Sequence, residues 1–556
     1  MIRSVFFVAS VVLLSSCSRC GKSGSDARAK ADTCPPRDSV TIALPSLPNT
    51  LDWSQSHEQS AQNYPALLAM MRGLTTLDAN NEVKPGLAAS WDVSTNADNQ
   101  QVYVFHLAPG VTWSDGKSPL RAQDFVFAWR RALLGADGAE LEDLANAAKW
   151  RTEKTPEAGE KLGVKAIDDA TLEVTLAGPR SYFLSRLANV YPYFPAPSAE
   201  LAGKTEAEVQ KYFNEPKDGR PLVLGAFKVT AWDRVGQRLE LEANPHYADK
   251  PASGGVSKLV LLQSDLGALM YEQCNVDFLF FDDPSQLAKP PPDLASARLL
   301  STYWLGFNTT RVPLELRRAI AAAIDRPALM NTMSGLVPNA RVAKVFLPPD
   351  MPGAVQDGDA RLNEFPQADA EKAKAYFAAN KREPLTILVR GNGSFLPEAA
   401  IAEGIRRQLA PLGLDLKIIT TSNFSNDVKE ADGTLRYDLF LKRTGADYAH
   451  PNTLLTPFQS GGNHYTDWQK LEAGAAIAKF EKLLAEGAAT QDEAKRTQLY
   501  LDAQKVLLSE QVVAVPLYFP NRYFRKRPWL DGLSVDPFNF LTFRAMRVKQ
   551  AEAVKP

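Results

Sequence analysis

Cysteine and histidine are scarce in this chain, with four and five copies in 556 residues. The cysteines show no zinc-site spacing, and the scattered histidines supply none, so no metal and no cofactor is implied. Neither sign of charge dominates. Lys and Arg number 63 against 64 Asp and Glu, a formal net charge of −1 with no basic stripe, which argues against nucleic acid as a partner. Long apolar runs are missing: the most continuous, Val5 to Leu14, is ten residues, whereas a membrane-spanning helix needs about 20. No nucleophile elbow, H-E-x-x-H or helix-opening G-x-G-x-x-G occurs. That lowers an enzymatic reading, although catalytic triads are defined by geometry rather than by spacing.

What is present begins with a leader. Arg3 gives a positive start, the apolar run follows, and Leu14-Ser15-Ser16-Cys17 ends it. This pattern predicts a signal peptide over 1–16. The last four residues resemble the lipobox of bacterial lipoproteins, which makes Cys17 the expected lipidation site and the membrane contact a lipid anchor. Residues 17–36 are small, charged and aperiodic, a flexible tether. Gly21-Lys22-Ser23 within it is no phosphate loop, because Ser16 stands where the first glycine is required. In an oxidising compartment Cys20 and Cys34 could pair, leaving Cys274 single.

Composition is that of a soluble globular protein, and the length allows three or four domain-sized cores. Val40–Leu44 reads as a strand. Gln101–Leu107 followed by Gly110–Gly116 reads as a hairpin closed by Asp115-Gly116. Phe125, Val126, Trp129 and Leu133 lie on one helical face and are simplest as core. Gly163–Leu176 is a second hairpin, and its adjacent Asp168 and Asp169 read as turn residues rather than as a catalytic pair. Two more strands fall around Gly225 to Glu242. Strand signals at 385–389, 416–419 and 437–441, with a helix from about Glu398 to Leu412, make a βαβ pattern and hence a parallel sheet. Helices occupy about 468–511, before a strand at 512–519.

Several stretches in order resemble the oligopeptide-binding proteins of bacterial ABC importers. They include RGLTTLDANNEVKPGLAASWDV (72–93), YVFHLAPGVTWSDGKSPLRAQDFVFAWRRAL (103–133), LRRAIAAAIDRPALM, YDLFLKRTGADYAHPNTLL and VPLYFPNRYFRKRPWLDG (515–532). The resemblance runs from about Val40 to Phe543. It implies an α/β fold of the periplasmic-binding-protein type: two lobes around a ligand cleft plus an extra α+β domain, three discontinuous domains in all. Carried over, the first lobe takes 37–72, 196–300 and 520–548, the extra domain 73–195, and the other lobe 301–519. Hinges would lie near 300 and 520. The expected partners are a peptide and the permease subunits of an ABC transporter. The expected form is a monomer, lipid-anchored at the extracytoplasmic face of the cell envelope.

The resemblance also gives Asp447 a role. The strand 437–441 runs into Thr444-Gly445-Ala446, small residues that invite a close approach, and then into Asp447-Tyr448. In peptide-binding members the acid of this turn grips the peptide's α-amino group. An ammonium removed from water needs such a partner, and main-chain pairing along Thr444–Ala446 would accept many sequences. The opposite wall would be the strand from Trp304 to Asn308. The bland alternative is that Asp447 caps the segment after it. Well-known peptide binders carry Trp and Cys where this chain has Thr444 and Gly445, and in some that Cys pairs with one at the position of Ser301. With both absent, a roomier pocket is expected beside Asp447. Lys442 and Arg443 are the nearby candidates for holding a ligand carboxylate. Two other classes keep the same cleft: an enzyme, and an envelope lipoprotein that senses peptides or holds chains without transport. A non-peptide solute is a further alternative.

Overall fold

The computed structural model describes residues 34–54, 64–136, 138–249, 254–281, 290–291, 293–380, 383–391, 397–471 and 474–549. The leader, Cys17 and Cys20 lie outside these residues. Among the described residues no helix is long and apolar enough to cross a membrane.

Two large sheets organise the chain. The first has seven strands in the order Leu294–Arg298, Asn521–Lys526, Phe278–Phe280, Ser39–Leu44, Lys258–Gln263, Arg238–Ala243 and Phe227–Asp233. Its central strand, Ser39–Leu44, lies parallel to both neighbours. The second has six, in the order Arg341–Val342, Ala514–Phe519, Ser301–Phe307, Leu439–Gly445, Leu385–Arg390 and Leu416–Thr421. Here Leu385–Arg390 runs parallel to both Leu416–Thr421 and Leu439–Gly445, the arrangement that the βαβ pattern predicts, with helix Glu398–Leu409 as the crossover.

Core packing explains the apolar stretches within these strands. Alternate residues of the second sheet enter separate cores: Trp304, Leu388 and Phe440 on one face, and Tyr303, Leu305, Ile387 and Leu441 on the other. A sheet covered on both faces has no polar register. The chain crosses between the two sheets twice, at Leu299-Leu300 and at Pro520. The crossings touch, with the Leu299 N–H donating to the Pro520 carbonyl at 3.3 Å.

A smaller antiparallel sheet, in the order Ala88–Thr95, Gln101–Leu107, Thr171–Thr175 and Val164–Ala166, departs from the expected pairing. Gln101–Leu107 pairs with Ala88–Thr95 and Thr171–Thr175, not with 110–116. The Asp115-Gly116 turn does form, with Asp115 Oδ1 accepting from the N–H groups of Lys117 and Ser118, but it closes only the Thr112–Pro119 bridge. Ala88–Thr95 escapes a periodicity reading because most of its residues are exposed, leaving no apolar alternation to see. Asp168 is the turn residue expected, accepting from the Ala170 N–H at 2.8 Å.

The cysteine pairing differs as well. Cys34 is bonded to Cys274, 240 residues away, not to Cys20. Spacing in the sequence carries no information about a pairing that the fold creates. Cys274 follows helix Gly267–Glu272 and precedes strand Phe278–Phe280, beside the central strand that begins at Ser39.

Candidate functional site

Strand Leu439–Gly445 ends at the loop that carries Asp447. It is antiparallel to Ser301–Phe307, with Gly445 opposite Ser301, Thr444 opposite Thr302 and Lys442 opposite Trp304. Alternation then decides which side chains can face a ligand. Thr444 turns inward: its Oγ1 accepts from Trp304 Nε1 at 2.9 Å and lies 3.1 Å from His464 Nε2.

Trp304 is fully buried and packs against Phe346, Phe440 and Phe458. Asn308 is also buried. Its Nδ2 donates to the carbonyls of Leu435 and Tyr437, and its Oδ1 accepts from Thr310. The side chains of Trp304 and Asn308 therefore do not form a ligand wall: both point into the core and are held there. Thr444 is likewise a core tie rather than a contact. Ala446 is buried, and its N–H donates to the Leu300 carbonyl at 2.8 Å.

Nor does the side beside Gly445 stand open. A Cβ there would meet Ser301 Oγ at 3.0 Å and Arg443 Nη1 at 3.5 Å, and Arg443 donates to Ser301 Oγ at 2.9 Å. The space expected from the missing Trp and Cys is taken by a guanidinium. Burial, with Arg522 and Arg390 nearby, lowers the Arg443 pKa to about 10. Lys442, on the other face, donates to the Asn463 carbonyl at 2.8 Å, and burial brings its pKa down to about 7.

Asp447 is different. It is exposed to solvent. Loss of hydration and the charge of Glu140 raise its pKa to about 6, against the pull of Arg186, Thr453 and Arg443. Its carboxylate accepts one hydrogen bond among the described residues, from Thr453 Oγ1 at 3.3 Å. It caps no helix. The following helix, Asn452–Leu455, begins after Pro451 and has no side-chain cap, and Thr453 Oγ1 instead accepts from the Asp447 N–H at 3.1 Å. A capping carboxylate would sit low in pKa, paired with backbone N–H groups; this one sits high and is nearly unpaired.

The loop is fixed by residues that the sequence reading did not single out. The Ala449 N–H donates to Ser185 Oγ at 2.8 Å, and Ser181 Oγ lies 3.1 Å from His450 Nε2. The ring of Tyr448, buried, lies under the Arg186 guanidinium at 5.3 Å and beside Tyr182. Arg186 is itself paired with Asp143 at 2.8 Å and with Glu140. No local motif marks these positions, since they come from a segment some 260 residues earlier and meet only in the fold.

Residues 82–466 match the profile of the bacterial extracellular solute-binding proteins, family 5. The chain belongs to that family. It is a family of solute-binding proteins, not of enzymes. The periplasmic oligopeptide-binding protein OppA of Escherichia coli is 28% identical over 504 residues, covering 86% of this chain and 87% of its own. The oligopeptide-binding protein OppA of Bacillus subtilis is 26% identical over 542 residues, covering 91% and 92%. Among solved structures, the unliganded open form of the periplasmic murein tripeptide binding protein MppA superimposes with a TM-score of 0.72 at 23% identity, over 93% of this chain and 98% of that one. That likeness shows the fold: α/β, of the periplasmic-binding type.

Proposed function

We propose that this solute-binding protein captures oligopeptides by their free α-amino group and delivers them to an ABC permease. The observation that carries the reading is the Asp447 carboxylate: reachable by solvent, raised in pKa to about 6, and holding one long hydrogen bond. Among the described residues no cation forms an ion pair with it, and an α-ammonium supplies both charge and donors. The names of the two OppA relatives, oligopeptide-binding in each case, support the same ligand class.

In this reading the two large sheets head two lobes, one built from 37–72, 196–300 and 520–548 and the other from 301–519, with 73–195 as the additional domain. The paired crossings at Leu299-Leu300 and Pro520 serve as the hinge. Gly445, partly exposed at the strand end, offers main chain to the ligand, and Arg443 beside it offers a cation to a ligand carboxylate.

Calorimetry on stripped protein tests the site. Free-amine peptides should bind well and their N-acetylated forms poorly; equal affinity would mean that Asp447 reads no amino terminus. We place the protein in the cell envelope, anchored through lipid on Cys17. Cys17→Ser should shift it from the detergent phase to the aqueous phase on partitioning, and unchanged partitioning would remove the anchor from the account.

A further inference from the structure

A cavity of about 520 Å³ has no residue of the Asp447 loop in its lining, although Ala79 and Asn81 line both it and the cavity that Ala449 and His450 border. It is bounded by helix Tyr64–Met70, strand Thr75–Leu77 and the segment 534–544. Leu68, Leu77, Val535, Phe538, Leu541 and Phe543 supply its apolar wall; Asp78, which also lines it, is engaged by the Asn80 and Glu82 N–H groups and by Lys84. Such a volume is that of an ordinary small-molecule site, where apolar walls bury a ligand and a few polar groups orient it.

Two of the polar groups here are unspent. Thr76 lines the cavity, and its Oγ1 is buried without a hydrogen-bond partner. Arg544 lines it too, is only partly exposed, and makes no hydrogen bond or ion pair among the described residues. Of the acids nearest to Arg544, Asp249 is committed to Arg72 at 2.8 Å. Asp536 has one oxygen accepting from the N–H groups of Phe538 and Phe540, at 2.9 and 2.8 Å. A guanidinium kept partly from water without a partner is costly, and its planar fork matches a carboxylate.

We propose that this cavity is a second binding site, for an amphipathic monocarboxylate whose apolar body fills the Leu77–Phe538–Phe543 walls and whose carboxylate pairs with Arg544. A dianion such as a phosphate monoester fits worse, because its second charge would face Asp536 on the same wall. The Pro537 carbonyl, in the same lining, receives the Leu300 N–H at 2.7 Å. An occupant would therefore touch the segment bonded to one of the two crossings.

The test is calorimetry on the purified full chain with decanoate, kept well below its micelle-forming concentration, and with decanol as the uncharged probe. Decanoate should bind, and decanol should bind at least about tenfold more weakly, as the loss of charge-assisted hydrogen bonds requires. Arg544→Met should bring decanoate down to the decanol level, Leu541→Trp should fill the cavity and weaken both probes, and Asp447→Asn should leave both unchanged. Equal binding of the two probes to the unaltered protein overturns the proposal, as does loss of decanoate binding in Asp447→Asn or no binding at all. The comparison of two probes on one protein depends on no variant folding.

Discussion

Asp447→Asn is expected to weaken binding of a free-amine peptide by roughly 30- to 5,000-fold, the consequence of about 2–5 kcal/mol lost when one member of a desolvated charge pair is truncated. Asparagine keeps the shape, so the loss is one of charge. The N-acetylated peptide should bind the variant and the unaltered protein about equally, because neither complex contains the ammonium. A variant that still prefers the free amine would place the amino-terminal contact elsewhere.

The high pKa of Asp447 gives this a pH signature. With the group at about 6 in the empty protein, binding an ammonium below that pH must first expel a proton. Affinity should therefore fall, by about tenfold per pH unit, as pH drops below about 6. It should also fall above about 8, where the ligand's own α-amino group deprotonates. The stability effect has the opposite sense. An acid whose folded pKa lies above the usual 3.8 favours the fold when protonated, so its contribution improves as pH falls through 6 and is complete below the unfolded value. Asp447→Asn should accordingly raise the melting temperature of the empty protein at about pH 7 and leave it nearly unchanged at about pH 4. A site that binds at neutral pH by holding an unpaired charge gives up stability when empty.

The parallel part of the second sheet, around Leu385–Arg390, was legible because local signals and the fold agree there: short apolar strands and a helix of the right length. The antiparallel strands beside it make the sheet mixed. The role of the small residues was less legible. Thr444 and Gly445 read as room for a ligand, but room depends on what stands across the strand, and the sequence does not say that Arg443 reaches over to Ser301. Trp304 fails for a related reason. Its strand is correctly placed, but both faces of the sheet are buried, so no alternation shows which residues face the cleft. The position of Asp447 stood out in the sequence, but its role came only through the resemblance. Its raised pKa reflects lost hydration and Glu140, opposed by Arg186 and Thr453, groups that only the fold brings together.

Cys274→Ser should lower the unfolding free energy by about 2–5 kcal/mol, the usual cost of removing a native disulfide. The bridge joins residues 240 apart, and in the chain-entropy account a loop of that length restricts the unfolded ensemble more than a short one does. Its position adds to the effect. Cys34 lies just before the central strand Ser39–Leu44, whose start is also held where Arg37 pairs with both oxygens of Asp277 at 2.8 Å and the Thr41 N–H donates to the same carboxylate at 2.9 Å. Asp277 is buried, and loss of hydration raises its pKa despite the Thr41 and Arg37 contacts. Without the disulfide, these contacts and the hydrogen bonds from Ser257 to Asp38 are left to hold the chain's entry into the first sheet. The double variant Cys34→Ser, Cys274→Ser should lose as much as the single one, because the bridge and not either thiol is responsible. Urea unfolding measures the loss, and mapping of non-reduced peptides should join the Cys34 fragment to the Cys274 fragment. A Cys20–Cys34 fragment in its place, with Cys274→Ser as stable as the unaltered protein, would reverse the assignment.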